Sequence, residues 1–471
     1  MLNYSVAELR FKYYLFRKPK VCGFFAFYLI ICVFIVGYAC IALEHPLKVN
    51  KAATALFLCF ILWTIYAFAG TGAMTPEFAA KIGSEDIRTF ITENILHHLG
   101  ETSETVFFLL GAMTIVAVID TWGAFRIITD KIKATSKVSL LWILGTLAFF
   151  MSAVLDNLTT TIVMITLLNK LIANKEDRWF FAAMIVIAAN AGGAWTPIGD
   201  VTTIMLWVGG KVSALNIMAM TVVPSLFSVL VPFAILSYTM RGGHVEVPVI
   251  IEDDNSPASR VSHSQRKMML ILGVGLLLCV PIFKSVTHLP PYIGILGALS
   301  ILWITTEIFR PKERQNPNRA DLKVSHILPK VDVDTILFFL GILMAVGVLQ
   351  ICGHLSMLAA GLDQIAVAEP NKYFLIDIII GVLSSIVDNV PLVAGTMGMY
   401  DFPMDHYFWE MLAYCAGTGG SILIIGSAAG IAAMSIEKID FIWYLKRITW
   451  IAFVGYIAGA LIYILQYNLI H

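Results

Sequence analysis

The chain has 471 residues, of which 58% are hydrophobic and 14% are charged, and its 32 Lys and Arg balance 32 Asp and Glu. A soluble domain carries about 25% charged residues, so this composition excludes an ordinary soluble protein. No basic run with interleaved aromatic residues indicates nucleic-acid binding, and the expected partner is the lipid bilayer.

Apolar runs long enough to cross a bilayer, about 20 residues each, recur along the whole chain. We predict ten transmembrane helices, at 21–43, 52–70, 105–122, 179–208, 216–240, 268–284, 291–309, 333–350, 409–434 and 448–467. The acidic amphipathic stretch 71–104 predicts a surface helix that ends before the third span. The expected fold class is an all-α polytopic membrane protein.

Two further apolar blocks, 139–170 and 373–400, are each broken midway by an Asp-Asn pair, Asp156-Asn157 and Asp388-Asn389. A polar pair at that depth predicts a helix–turn–helix that enters and leaves on one side of the membrane. Non-helical backbone is tolerated there only if it is buried in protein or lines a cavity. We therefore expect two re-entrant hairpins with polar tips.

Two of the predicted spans contain helix-breaking residues near their middle. The breaks are Gly192-Gly193 with Pro197 and Gly199 in span 179–208, and Gly419-Gly420 with Gly426 in span 409–434. Such interruptions predict broken helices with exposed backbone groups, an arrangement that secondary transporters use to bind ions. For the first span, a kinked helix with Asp200 at its mouth is the alternative.

The two halves of the chain repeat one another. Thr105–Arg126 matches Thr335–Ser356 at an offset of 230 residues, the Asp-Asn blocks match at 232, and the Gly-rich interruptions match at 227. Near-constant offsets predict two repeats, 1–240 and 268–471, joined by the polar linker 241–267. Transporter repeats are often inverted relative to each other in the membrane, and we predict that relation here.

The Lys and Arg residues of the loops predict the orientation. If hairpin 139–170 opens to the cytoplasm, the cytoplasmic loops carry 22 Lys and Arg and the external loops carry five. The linker is then cytoplasmic, and the two halves are inverted. The five basic residues before residue 21 would lie outside, which conflicts with the positive-inside rule.

The polar tips and breaks form the candidate binding site, because a carboxylate in an apolar segment is costly to retain without a function. Carboxylate, amide and hydroxyl oxygens suit a hard cation. The candidate cation and proton ligands are Asp156, Asn157, Thr159, Asn190, Asp200, Thr202, Thr203, Ser384, Asp388, Asn389, Thr418 and Ser421, with Asp156, Asp200 and Asp388 as the carboxylates for Na⁺. Carboxylates crowded around one cavity can hold protons and cations alternately, which is the basis of exchange.

Some of these residues could instead have a purely structural role. Asp156 could be a structural helix cap, and Thr160 and Thr161 could donate to the preceding turn. Four other acids are candidates for a proton path: Glu104, Asp120, Asp334 and Asp377. Because Glu104 and Asp334 precede the matched Thr105 and Thr335, a helix N-cap is the alternative for each of them.

Together, segments 156–161, 190–203 and 384–391 resemble the NhaD-type sodium/proton antiporters, which belong to a wider superfamily with arsenite permeases and divalent-anion symporters. The resemblance extends over residues 21–467. It implies a scaffold part and a transport part in each repeat, often a homodimer, and transport of Na⁺ or Li⁺ and protons with no cofactor. It also implies a bacterial inner membrane and a role in pH homeostasis.

Four alternatives compete with this interpretation. Divalent-anion symporters place neutral Ser-Asn-Thr at both tips, whereas both tips here begin with Asp, which disfavours an anion substrate. An arsenite-type permease is a closer alternative, because its substrate is neutral or weakly acidic. A membrane enzyme is disfavoured because the chain has no HExxH or GxSxG, and a passive channel would not need titratable acids at helix breaks.

Overall fold

A computed structural model describes residues 19–42, 44–76, 79, 87–129, 135–246, 261–309, 322–386 and 389–470. Within these residues every regular element is a helix, which confirms the all-α fold class. The longer helices are α1 Pro19–Ala42, α2 Lys51–Ala69, α3 Ile87–Thr121, α4 Lys137–Ser152, α5 Asn157–Leu171, α6 Lys175–Gly193, α7 Val201–Val208, α8 Ala214–Thr239, α9 His263–Thr287, α10 Pro291–Phe309, α11 Val333–Ile351, α12 His354–Leu362, α13 Asn371–Leu383, α14 Asn389–Met399, α15 Tyr407–Gly419, α16 Ala428–Glu437, α17 Phe441–Arg447 and α18 Thr449–Ile470.

Seven of the described helices are long and apolar enough to cross a membrane, which confirms a polytopic membrane protein. They are α2 with the 3₁₀ turn that follows it, α3, α8, α9, α10, α11 and α18. The segment Phe25–Ile41 of α1 and the hairpin segments Lys137–Ser152 and Asn157–Asn169 are also apolar but shorter, at 10–17 residues each. The basic tail before residue 19 and the linker residues 247–260 lie outside the described part of the chain.

The separate surface helix expected to end at residue 104 is wrong. The chain from Ile87 continues without interruption into the third predicted span, as the 35-residue helix α3. Ile91, His98, Thr102 and Thr105 are all buried and recur at intervals of three, four or seven residues. One buried face therefore passes through both segments, and this continuity of packing outweighs the change in composition.

The chain divides into two compact units that do not follow the sequence halves. Unit 1 consists of the residues up to Ser103, Asp334–Ile365 and Ala394–Asp401. Unit 2 consists of Glu104–Val333, Ala366–Val393 and the residues from Phe402 onward. Each unit therefore draws on both halves of the sequence.

Unit 1 is built around the pairing of α1 with α2. Helix α11 also comes close to α2 at a glycine, because a Cβ on Gly341 would lie 2.7 Å from the backbone carbon of Ala55. The Trp63 indole nitrogen donates to the Met344 carbonyl at 3.0 Å. These contacts fix α2 against α11 within the unit.

Unit 2 contains the first hairpin, the second hairpin as far as Val393, and both broken helices. Helix α8 packs along α18, the hairpin helix α4 packs on α6, and the hairpin helix α13 packs on α15. A buried aromatic core joins α13, α15 and α18 through Phe374, Tyr414, Tyr456 and Tyr463. All the described candidate ligands lie in this unit.

Glycines bring each hairpin into backbone contact with its broken helix. A Cβ on Gly192 would lie 2.1 Å from the Phe149 carbonyl oxygen, and a Cβ on Gly419 would lie 2.0 Å from the Gly381 carbonyl oxygen. No side chain fits at either distance. Phe149 and Gly381 are 232 residues apart in the sequence, and Gly192 and Gly419 are 227 apart. These are the offsets of the hairpin and broken-helix repeats, so the two contacts are equivalent.

A serine hydrogen bond reinforces each of these contacts. Ser152 Oγ donates to the Ala189 carbonyl at 2.6 Å, and Ser384 Oγ donates to the Ala416 carbonyl at 2.9 Å. The same offsets, 232 and 227, relate these partners. The two matched segments therefore form the same local structure, with a hairpin tip held against the end of a half-helix.

Candidate functional site

The first hairpin turns at Asp156, between α4 and α5. One carboxylate oxygen of Asp156 accepts from the Thr159 amide at 2.6 Å, and the other accepts from the Thr159 hydroxyl at 2.8 Å. Asp156 therefore caps α5, and its role as a cation ligand stays a prediction. The backbone φ of Asp156 is 151°, a conformation that favours glycine, so this position carries a carboxylate at a cost in backbone strain.

The first broken helix is interrupted between α6 and α7, and the second half-helix begins at Asp200. The Asp200 carboxylate accepts from the Thr202 amide and hydroxyl, both at 2.9 Å. The Thr203 hydroxyl donates to the Asp200 carbonyl at 2.8 Å. Because residues 194–200 are not helical, the alternative of a merely kinked helix is wrong.

Both hairpin tips converge on Asp200. The side-chain nitrogen of Asn157 donates to Asp200 Oδ2 at 2.6 Å, and that of Asn389 approaches Asp200 Oδ1 at 3.4 Å. Asn157 and Asn389 are the matched residues of the two Asp-Asn pairs, related by the offset of 232. A single carboxylate thus connects the tips from both halves of the sequence.

Asn190, in the last turn of α6, extends this network to the second broken helix. Its oxygen accepts from Asn157 at 3.1 Å, and its nitrogen donates to the hydroxyls of Ser421 and Ser427, each at 2.9 Å. Ser427 also caps α16 by accepting from the Gly430 amide. Ser427 was not among the candidate ligands predicted from the sequence, although the offset of 227 aligns it with Asp200.

The network is shielded from solvent. Asp200 is 1% exposed, Asn190 is 0% exposed, and Asn157 and Asn389 are each 5% exposed. The hydrogen-bond donors named above are neutral, so they stabilise the negative charge of Asp200 without cancelling it. Asp156 is close enough for its charge to interact with that of Asp200. A buried carboxylate of this kind attracts a cation or a proton.

Other candidate ligands have partners outside this network. Ser384 donates to the Ala416 carbonyl, and Thr418 donates to the Tyr414 carbonyl at 2.6 Å. The hydroxyls of Thr160 and Thr161 are buried without a hydrogen-bond partner among the described residues, so the alternative of bonds to the preceding turn is wrong. Asp388 lies outside the described residues.

The described residues contain no group of three or more His, Cys, Asp or Glu side chains that could hold a metal ion. This result concerns the chain without Asp388, so a Na⁺ site with three carboxylates stays a prediction. The described oxygen atoms that could serve a cation belong to Asp200, Asp156, the amides and the hydroxyls. Oxygen atoms of these kinds are the ligands that hard cations prefer.

The four proton-path acids have different surroundings. Glu104 lies inside α3, so the N-cap alternative is wrong for it. Asp334 is exposed in the first turn of α11 and accepts from Asn50 at 2.9 Å, which fits a helix-terminal role. Asp120 is exposed near the end of α3, whereas Asp377 is fully buried in α13.

Comparison with known proteins gives one family and several relatives. A family described as citrate transporter (CitMHS) matches residues 38–411. Sodium/proton antiporter 1 of Arabidopsis thaliana is 44% identical over 441 residues, covering 93% of this chain and 72% of the relative. Sodium/proton antiporter 2 of the same plant is 42% identical, covering 93% of this chain and 99% of the relative.

A bacterial protein is also similar over nearly the full length. The Na(+)/H(+) antiporter NhaD of Vibrio cholerae is 30% identical over 470 residues, covering 93% of this chain and 91% of the relative. The relatives are named as transporters and not as enzymes, as expected from the sequence. Because plant and bacterial proteins are both similar to the chain, the comparisons do not support the expected bacterial inner membrane in particular.

Proposed function

The chain belongs to the citrate-transporter (CitMHS) family, alongside relatives named sodium/proton antiporters, and we propose that it exchanges Na⁺ or Li⁺ for protons across a membrane. The single observation that best supports the site is the meeting of Asn157 and Asn389 on Asp200. It joins the tips of both hairpins to one buried carboxylate at a helix break.

In the proposed mechanism, Asp200 binds the cation directly. Amide and hydroxyl oxygens of the surrounding network complete the ligand set, and Asp156 and Asp388 add negative charge nearby. A proton on Asp200 removes the charge that attracts Na⁺. Because the carboxylates titrate as a coupled set, proton binding and cation binding exclude each other at this site.

We further propose that the site is reached alternately from the two sides of the membrane. The equivalent contacts of the two hairpins and the 22 Lys and Arg of the proposed cytoplasmic loops support two inverted halves. Cytoplasmic Na⁺ would leave as external protons enter. The integral membrane location follows from the long apolar helices, and a homodimer stays a prediction.

An anion substrate fits the site less well, although the matched family is described as citrate transporter. Citrate carries several negative charges, and it would meet the carboxylate of Asp200 in a buried setting where like charges repel strongly. An arsenite-type substrate would gain little from a carboxylate. Sodium and lithium use the negative charge, so they fit the described geometry best.

Collapse of a pH gradient in inside-out vesicles tests the proposal. We expect Na⁺ and Li⁺ to collapse the gradient, and K⁺, citrate and arsenite to leave it intact. Asp200→Asn should abolish the response while the protein still inserts, and Asp332→Asn, at an exposed loop position, should respond as the native chain does. A pH change driven by citrate or arsenite, but not by Na⁺, would contradict sodium/proton exchange.

A further inference from the structure

Asp377 is a buried acid that the proposed cation site does not use. It lies in the middle of α13 and is 0% exposed. Neither of its carboxylate oxygens has a hydrogen-bond partner within the part of the chain that the structure describes. An ionised carboxylate in that position would cost several kcal/mol, so the side chain needs a proton to remain there.

The position of Asp377 on α13 places it against α15 and α18. Phe374, three residues earlier on the same helix face, packs on the Tyr463 ring with centroids 6.1 Å apart. Gly381, four residues later, is so close to α18 that a Cβ would lie 2.2 Å from the Tyr456 hydroxyl. Asp377 therefore lies between two points of tight packing.

The groups that face Asp377 are mostly weak acids. The Asp377 carboxyl is close enough to act electrostatically on Tyr407 and Cys415 of α15 and on Tyr456 and Tyr463 of α18. The titratable and charged groups on the packed elements are Tyr407, Glu410, Tyr414, Cys415 and His406 at the start of α15, Tyr456, Tyr463 and Tyr467 on α18, and Lys372 and Tyr373 on α13 itself.

The charged members of this set have partners of their own. Glu410 accepts from the Tyr463 hydroxyl at 2.6 Å and from the amide of Asn216. Lys372, near the start of α13, forms an ion pair with Glu369, with 3.4 Å between Lys372 Nζ and Glu369 Oε1. This region therefore contains two carboxyl groups. The Glu410 carboxyl accepts hydrogen bonds, and the Asp377 carboxyl accepts none from the described residues.

Comparison with the matched half shows that the packing does not require either acid. The residue aligned with Asp377 at the offset of 232 is Gly145, where a Cβ would lie 1.9 Å from the Phe233 ring. The residue aligned with Glu410 at the offset of 227 is Ala183, which is fully buried. The same helix pairing is thus built with Gly and Ala in the first half and with two acids in the second.

We infer that Asp377 is a second proton-binding site of the exchanger, separate from the network around Asp200. This inference rests on the proposed sodium/proton exchange. Helix α13 leads directly into the second hairpin tip, whose Asn389 contacts Asp200, so the same hairpin carries the proton site and a part of the cation site.

A second site changes the charge carried in each cycle. In each cycle one Na⁺ leaves while two protons enter, one on the Asp200 network and one on Asp377, and both protons are released to the cytoplasm before the next Na⁺ binds. Two positive charges then move inward for each one that moves outward, and each cycle transfers one net positive charge. The exchange therefore responds to the membrane potential, whereas a one-for-one exchange would not.

Sodium flux in sealed liposomes at a set membrane potential tests the inference. We expect the Na⁺ flux of the native chain to depend on the membrane potential. Asp377→Asn should exchange Na⁺ for protons without that dependence, and Asp377→Glu, which keeps a carboxyl group, should show the native dependence. Asp332→Asn is the matched control. If Asp377→Asn keeps the native dependence, or if the native chain exchanges with none, Asp377 is not a second proton site. A native chain with no Na⁺ exchange would instead overturn the proposed function.

Infrared spectroscopy of the protein in lipid gives a readout that needs no transport. At neutral pH we expect the C=O band of a buried, protonated carboxylic acid, shifted by Asp377→Glu and removed by Asp377→Asn. A native spectrum without that band would show that Asp377 holds no proton. This measurement keeps the inference testable even if Asp377→Asn transports poorly.

Discussion

Asp156 combines a structural contact with a place beside the proposed cation site. It caps α5 through Thr159, and its charge interacts with that of Asp200. Asn is an equally good cap, whereas Ala loses about 1 kcal/mol of helix stability. We expect Asp156→Asn to keep native thermal stability and lose Na⁺ exchange, and Asp156→Ala to lose both.

The comparison of these two variants separates the roles of Asp156. Thermal unfolding in detergent reports the cap, and Na⁺-driven pH collapse in vesicles reports the charge. Native exchange in Asp156→Asn would mean that the side chain serves only as a cap, and that Asp200 acts without it.

The sequence predicted the residues of the network better than their partners. Asn157, Asn190, Asp200 and Asn389 were all expected at the site, because polar groups in apolar segments are costly. The convergence of Asn157 and Asn389 on Asp200 was not predictable, because it depends on how hairpins and broken helices pack. Ser427 was not among the candidate ligands, because a serine in a Gly-rich segment carries little signal of its own.

At the scale of elements, hydropathy located most helices and misjudged one boundary. Gly and Pro are strong local signals, so the breaks after Gly193 and Gly419 were readable from the sequence. The sequence did not show that the surface segment and the third span form one helix, α3, because a continuous buried face outweighed the acidic residues on the exposed side. The complete burial of Asp377 was equally unpredictable, since the helices that pack around it, α15 and α18, are distant in sequence.

The hairpin contacts make a prediction about glycine. A Cβ on Gly192 or Gly419 would collide with the backbone of the opposing hairpin helix, which cannot move aside as a side chain can. We expect Gly192→Ala and Gly419→Ala to reduce stability by several kcal/mol, in the range of severe core overpacking, and to abolish exchange. Thermal unfolding and vesicle assays measure the two effects.

Gly275 of α9 is the matched control for these variants. No atom lies within 4 Å of a Cβ built there, and Ala in a helix is favoured over Gly by about 1 kcal/mol. Gly275→Ala should therefore be as stable as the native chain or slightly more so. Equal effects of all three substitutions would show that the hairpin contacts are looser than described.

For the whole molecule, loop charge predicts which side of the membrane each hairpin opens to. Single cysteines at Ser136, before α4, and at the exposed Met404, before α15, report these sides in a background without native cysteines. We expect an impermeant thiol reagent to label Ser136→Cys from the cytoplasm only and Met404→Cys from outside only. Labelling of both from one side would exclude inverted halves.

Competition between proton and sodium is a further property of the whole molecule. If Na⁺ binds only after a proton leaves the Asp200 network, protons oppose its binding as pH falls. The half-saturating Na⁺ concentration should then rise by up to about tenfold for each unit of falling pH, for one displaced proton. Initial rates of exchange between pH 7 and 9 measure it, and a constant value would mean that the ions use separate sites.

The contact between Asn190 and the second broken helix bears on how such a chain could have arisen. Asn190 donates to Ser421 and Ser427, but its aligned residue is Gly417, where a Cβ would lie 2.9 Å from that of Ala194. A half-length ancestor paired with its own copy would carry the same residue at both positions. Asn at both positions would lack room at position 417. Gly at both positions would remove the side-chain nitrogen that donates to Ser421 and Ser427. The present arrangement therefore requires different residues at the two aligned positions, which a half-length chain paired with its own copy could not supply.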